Sequence, residues 1–266
     1  QHVDRTGHRE KGLVHRLAVQ AAAVVLEDQP TFVARWQAER VAKRAEVAVF
    51  GVNAACLVPP AVIAAETRGR TAFLRQHEPA RGASMTWTEE EPDTPPYAGA
   101  LPFAPDRLAE RDLDALVAGL DIDHSLPVSE TFPAGRRAAE DRLARLVAAV
   151  LPGYAAARND ATRTDGASGL SPYLHFGVLG PREVMAAVNG TAAGAQHKRK
   201  FADELLGWRE WFHFQARQTD APERYDRVAG WARQTLANHA ADPRPERETL
   251  AAMLSGTTAD ETWNAC

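Results

Sequence analysis

Cysteine is nearly absent. Cys56 and Cys266 are the two among 266 residues, too few for a disulfide framework, and that usage suggests a reducing, cytoplasmic compartment. Long apolar runs are missing too: the longest, such as Leu17 to Leu26, are too short and interrupted to cross a bilayer. No membrane partner is expected. Basic charge is not in excess, since 31 Lys and Arg against 35 Asp and Glu give a net charge of -4. Nothing global therefore marks a nucleic-acid binder, although a local basic stripe can steer DNA on an acidic protein. The nine histidines lack paired ligand spacing and the two cysteines are far apart, so no metal site is expected. No charged leader precedes an apolar segment. The chain opens Gln1-His2-Val3 and stops at Trp263-Asn264-Ala265-Cys266, and both ends read as cut.

What is present is the make-up of a globular protein, 45% hydrophobic and 25% charged. The length allows one large domain or two ordinary ones. Ala21 to Leu26 is a short apolar run closed by Glu27-Asp28, which reads as a buried strand. Pro30 opens a helical pattern from Thr31 to Ala45, and Glu46 to Val52 reads as a second strand. Strand, helix and strand over this distance make a βαβ unit of a parallel sheet. From Glu78 to about Asp106 the composition turns to Pro, Gly, Thr and acid, the mark of a linker. Helical spacing then recurs over 107–120, 134–151, 181–188, 201–217, 230–239 and 245–255. The expected organisation is an α/β remnant over 1–77, a linker over 78–130 and an all-helical domain over 131–266.

The strongest local signal is Asp165-Gly-Ala-Ser-Gly-Leu-Ser-Pro-Tyr-Leu-His-Phe-Gly177. Gly166 and Gly169 let the backbone approach a ligand closely, and Ser168 and Ser171 can donate to phosphate oxygens. Taken alone, a Ser-capped interhelix loop is the simpler reading and a phosphate cradle the alternative.

The run Ser-Gly-Leu-Ser-Pro-Tyr-Leu-His-Phe-Gly resembles the loop that grips the FAD diphosphate in the DNA photolyase and cryptochrome family. The match continues in order through Gly180-Pro181-Arg182-Glu183-Val184 and Glu204-Leu-Leu-Gly-Trp-Arg-Glu210. It goes on through Tyr225-Asp226, Trp231-Ala232, Thr235-Leu236, His239, Asp242-Pro-Arg244 and Trp263-Asn264-Ala265. The later motifs resemble class II cyclobutane-dimer photolyases more than class I. Upstream, the βαβ unit and Val52-Asn53 through Leu57-Val58-Pro59 look, more weakly, like the end of the family's Rossmann-like antenna domain. The resemblance therefore implies a remnant of that α/β domain followed by part of a helical FAD-binding domain, in a fragment lacking both ends.

Roles follow residue by residue. Tyr154 matches a tyrosine on the phosphate side of the flavin, and Ala167, Ser168, Gly169, Leu170 and Ser171 match the diphosphate loop. Glu204 matches the glutamate that hydrogen-bonds the flipped-out dimer, and Trp208 an aromatic that stacks on it. The spacing of four puts Glu204 and Trp208 on one helix face, with Trp211 and Phe212 nearby. Lys198, Arg199 and Lys200, in a basic cluster ahead of that helix, and Arg209 after it, are candidate DNA-phosphate contacts. Trp263 matches a tryptophan that passes electrons towards the flavin. Each has a plainer alternative: a core aromatic, a solvated charge run, a structural indole. The resemblance implies FAD, allows a second antenna chromophore of unspecified identity, and points to UV-damaged DNA as partner of a monomeric enzyme. A cryptochrome-like light sensor and an inert truncated product are the other readings. The chain also departs from the family pattern, with Ala259 in place of His, Glu261-Thr262 in place of Pro-Leu, and Cys266 where Ala-Gln would continue.

Overall fold

The computed structural model describes residues 12–86, 93, 95, 97–104, 108, 111–163, 165–243 and 248–264. A short helix, α1 (Leu13–Ala18), leads into β1 (Ala23–Glu27), α2 (Phe32–Arg44) and β2 (Ala48–Val52). The two strands pair in parallel from Ala23 opposite Ala48 to Glu27 opposite Val52, so the predicted βαβ unit is present. Its strands are less covered than a parallel sheet requires: Val25 is 65% exposed and Phe50 56%. The apolar run of β1 was expected to be buried. Among the described residues the sheet has only these two strands, so no further strand or layer closes over it.

Helix α3 (Arg70–Thr86) carries straight across position 77, where the sequence suggested a domain boundary, and contains Pro79. His77 is fully buried on it, which ties the start of the predicted linker to the core. Within the rest of that linker one helix is described, α4 (Leu113–Ala118), N-capped by the Asp112 carboxylate accepting from the Asp114 and Ala115 amides.

The helical part begins with α5 (Arg136–Arg145), continues as a wide π turn over Leu146–Val150 and tightens to a 3-10 turn at Leu151–Gly153. The sequence placed the helix end at Pro152-Gly153; instead the backbone only tightens there, because Pro in the first turn of a 3-10 segment loses no needed N–H, and it continues helically. Then come α6 (Tyr154–Ala157), α7 (Ser171–His175), α8 (Pro181–Asn189) and α9 (Ala195–Ala202). A second π segment, Asp203–Arg209, joins α9 to α10 (Glu210–Gln218). The basic cluster therefore lies inside α9 rather than ahead of the helix. The main core is built here, with Ala139, Leu146, Leu151, Val184, Val188 and Leu206 at 2% exposure or less. A smaller cluster joins Val58, Ile63, Phe73 and Phe214.

The chain divides into compact units of 1–222 and 223–266. The second unit holds α11 (Gly230–Asn238), α12 (Leu250–Ser255) and α13 (Glu261–Asn264). No residue described in it is buried. Among the described residues no helix is long and apolar enough to cross a membrane.

Candidate functional site

The predicted diphosphate loop is shaped by its small residues. Gly169 takes φ +65, in the left-handed region that side chains avoid, and a Cβ there would stand 3.2 Å from Arg142 Nη1. At Gly166 a Cβ would come within 2.5 Å of the Ala157 carbonyl oxygen. Larger residues would thus collide with backbone or guanidinium, so this is a close-approach loop rather than a loose connection. Between the glycines, the Leu170 amide donates to Ser168 Oγ at 3.4 Å, and Leu170 itself is 1% exposed and anchors the loop in the core. Ser171 opens α7, with Pro172 next, where a missing N–H costs nothing. Asp165, at the head of the loop, is held below the usual carboxylate range by hydrogen bonds from Arg163.

Elsewhere in the helical part, Tyr154, Lys200 and Glu204 are brought together around a residue the sequence reading passed over, Arg158. The Glu204 carboxylate accepts from Arg158 Nη2 at 2.9 Å and from Lys200 Nζ at 2.8 Å. Tyr154 is 6% exposed and packs edge-on against Phe201 at 5.3 Å. Burial raises its phenol pKa, against the opposing effect of a hydrogen bond with Arg158. Arg158 stands four residues after Tyr154, so the signal that could have found it was the i, i+4 spacing across one turn. Its Nε is buried without a partner.

Trp208 is 40% exposed and stacks beside Phe212, with ring centroids 6.1 Å apart. Trp211 does not join them. It packs instead with Phe73 and Phe214 in the smaller core, so the predicted aromatic face is split between surface and interior. Over Trp208 lies the Arg70 guanidinium, 4.2 Å from the ring centroid and ion-paired with Asp203.

The candidate DNA-contacting cations differ in their engagements. Lys198 Nζ donates to the Asn189 carbonyl at 3.0 Å and also to that of Thr191, capping the end of α8. That accounts for its charge without any partner molecule. Arg209 donates to the Ala55 carbonyl, and Arg199 is exposed. Arg209 and Ser171 also line one cavity of about 440 Å³ with Glu27, His175, Phe176 and His213. Burial, with Arg209 nearby, lowers the His213 pKa to about 4.

Glu210, next to Arg209, is 1% exposed. Its carboxylate accepts from the Leu57 amide at 2.6 Å, the Val58 amide at 3.2 Å and His77 Nε2 at 2.7 Å. Arg81 Nε donates to His77 Nδ1 at 3.0 Å, which fixes the imidazole proton on Nε2. Burial pushes the Cys56 thiol up, so it is no nucleophile. Trp263 belongs to the second unit, where it is 50% exposed and its indole N–H donates to the Met253 carbonyl at 3.0 Å. Next to it, Asn264 clips the preceding loop through Thr258, accepting from its amide and donating to its carbonyl. Among the described residues no group of three His, Cys, Asp or Glu could hold a metal ion.

No family model matches the chain. Curated relatives do. It is 29% identical over 161 residues to a deoxyribodipyrimidine photo-lyase of Potorous tridactylus, covering 58% of this chain and 29% of the relative. The photo-lyase of the same name from Arabidopsis thaliana is 35% identical over 123 residues, 43% of this chain and 23% of the relative. That of Oryza sativa subsp. japonica is 29% identical over 184 residues, 64% and 35% respectively. The chain thus spans roughly a quarter to a third of their lengths. Among solved structures it is similar in fold to a bacterial class III photolyase from Agrobacterium tumefaciens, with TM-score 0.60 and 18% identity over 95% of this chain and 52% of that one.

Proposed function

The chain belongs to the DNA photolyase/cryptochrome family, and on that premise we propose that its parent protein splits cyclobutane pyrimidine dimers in UV-damaged DNA, using light and reduced FAD. The observation that carries the reading is the loop over 167–171. Its two hydroxyls, its small residues and the left-handed turn at Gly169 suit a loop that presents donors to the diphosphate of FAD. The series Trp231-Ala232, Thr235-Leu236, His239 and Trp263-Asn264 supports placing the chain nearer class II.

Bound, reduced FAD supplies light absorption and reversible one-electron donation; orientation and recognition fall to the protein. Ser168, Ser171 and the amides of Ala167 and Gly169 would hold the diphosphate, with Leu170 anchoring the loop and Tyr154 a further candidate contact. Glu204 accepts a hydrogen bond from the lesion base. Its two ion-pair partners, Arg158 and Lys200, fix its position, which turns a mobile side chain into an aimed acceptor. Trp208, 40% exposed between the Arg70 guanidinium and the Phe212 ring, is the aromatic on which the flipped nucleotide stacks. Arg199 and Arg209 are the cations left to meet phosphate, and Trp263 is a candidate electron relay on the family resemblance alone. Signalling without repair, as in a cryptochrome, is the second reading. The exposure of Trp208, 40%, favours repair, which needs an aromatic surface that a nucleotide can reach.

Flavin retention tests the loop first. Purified chain incubated with FAD and passed through gel filtration is expected to carry flavin absorbance in the protein peak. A Ser168→Ala, Ser171→Ala double variant should carry at least about tenfold less, two charge-assisted hydrogen bonds being lost at about 1.5–3 kcal/mol each. A bare protein peak for the wild-type chain would sink the proposal that this loop and its helices suffice for a site.

A further inference from the structure

An arginine outside every motif named so far sits directly against the loop. Arg142, on α5, lays its guanidinium along the bare face of Gly169: a Cβ there would stand 3.2 Å from Nη1 and 3.5 Å from both Cδ and Cζ. The position is fixed from the other side. Nη2 donates to the Thr131 carbonyl at 2.8 Å, and the guanidinium carbon lies 5.2 Å from the Phe132 ring centroid. That leaves Nη1 and Nε to offer. Arg158 is paired with Glu204 and Arg163 with Asp165, whereas Arg142 has no carboxylate partner among the described residues. Beside it opens a groove of about 340 Å³ that Asp141, Arg145 and Tyr173 also line. A half-buried cation without an anion, held by a carbonyl and a ring, is a site prepared for an external negative charge.

The loop needs such a charge. Its hydroxyls and amides are neutral donors, and its one ionised residue, Asp165, is negative. A diphosphate brings at least two negative charges, and neutral dipoles alone hold it less well than dipoles joined by a guanidinium. We infer that Arg142 is a ligand of the anion bound by the 167–171 loop, reaching it across Gly169, and that Gly169 is glycine in part because the guanidinium takes the space of its side chain. This rests on the reading of the loop as a diphosphate site.

The test uses the whole chain with adenosine diphosphate, the non-flavin half of FAD, and adenosine as the uncharged control, both titrated by calorimetry. The wild-type chain is expected to bind the diphosphate more tightly than adenosine, and Arg142→Met to reduce that preference at least tenfold. Arg142→Lys, which keeps the charge but loses the fork, should fall between them. Arg142→Gln, which keeps a donor for the Thr131 carbonyl but loses the charge, should match Arg142→Met and serves if the methionine variant does not fold. A wild-type preference that survives in Arg142→Met, with only the melting temperature lowered, would reduce Arg142 to a clip on Thr131 and overturn the inference alone. No preference in the wild-type chain would overturn it together with the diphosphate reading.

Discussion

Glu210 shows how a single buried charge can hold separate segments of this chain together. Removing a carboxylate from water is costly, and here three donors answer it: two consecutive amides after β2 and the imidazole of α3. Arg81 completes the line by donating to the far side of that ring, although burial lowers its own pKa. Removing one member strands the rest. Glu210→Ala should therefore cost about 3–5 kcal/mol in urea unfolding, because His77 and the two amides lose their acceptor in a dry interior. Glu210→Gln should cost less, about 1–3 kcal/mol, its carbonyl still accepting while its amide group turns a donor towards donors. A loss under about 1 kcal/mol for the alanine variant would mean that water enters and replaces the carboxylate. None of this was readable from sequence, where Glu210 appeared only as the last letter of a motif. The partner positions, Leu57 and His77, are more than a hundred residues away, and no local spacing announces them.

At the scale of elements, the informative piece is the π segment over Asp203–Arg209. Wide turns of this kind are rare, and they mark places where one residue more than an α-helix would hold has been accommodated. Inside it Gly207 is buried, and a Cβ there would stand 2.6 Å from both Arg70 Nη2 and Asp203 Oδ1. The absent side chain is what lets the Arg70–Asp203 pair lie across the helix and place a cation on Trp208. Gly207→Ala should push that pair aside, destabilising the chain by about 1–3 kcal/mol through overpacking. It should also change Trp208 emission, read against a Trp208→Phe background; an unchanged spectrum would mean the guanidinium can shift without leaving the ring. Much of this level was legible. Apolar periodicity located β1, α2, β2, α8 and α11 to within a few residues, because a 3.6- or 2-residue repeat survives in the letters. The glycine-serine loop and Glu204 were singled out as candidates through the motif order. The arginines that stand against these candidates were not: Arg70, Arg142 and Arg158 lie on three other elements, and a guanidinium acts at the end of a long side chain whose direction only the fold decides. The split of Trp208 from Trp211 was hidden for a related reason, since face assignments by α-helical spacing slip where the helix widens.

For the whole molecule the question is where stability resides. The apolar centre of the first unit is shared by α5, α8, α9 and the two π segments, and Leu146, Leu151, Val184 and Val188 in it are fully buried. The βαβ portion is different, with Val25, Trp36 and Phe50 each more than half exposed. A parallel pair without a covering layer is a weak element, because its ladder opens without disturbing much packing. The second unit goes further: Trp231 is 77% exposed, Leu250 70% and Leu254 79%. Helices of four to nine residues do not persist in water on propensity alone. Native-state hydrogen exchange should therefore separate three levels. Amides of 139–150, 184–188 and 201–214 should exchange only with global unfolding, those of β1 and β2 by easier local opening, and those of α11 to α13 fastest. Protection of α11 to α13 equal to that of α8 would contradict this ordering and show that the second unit is held by more than its described contacts.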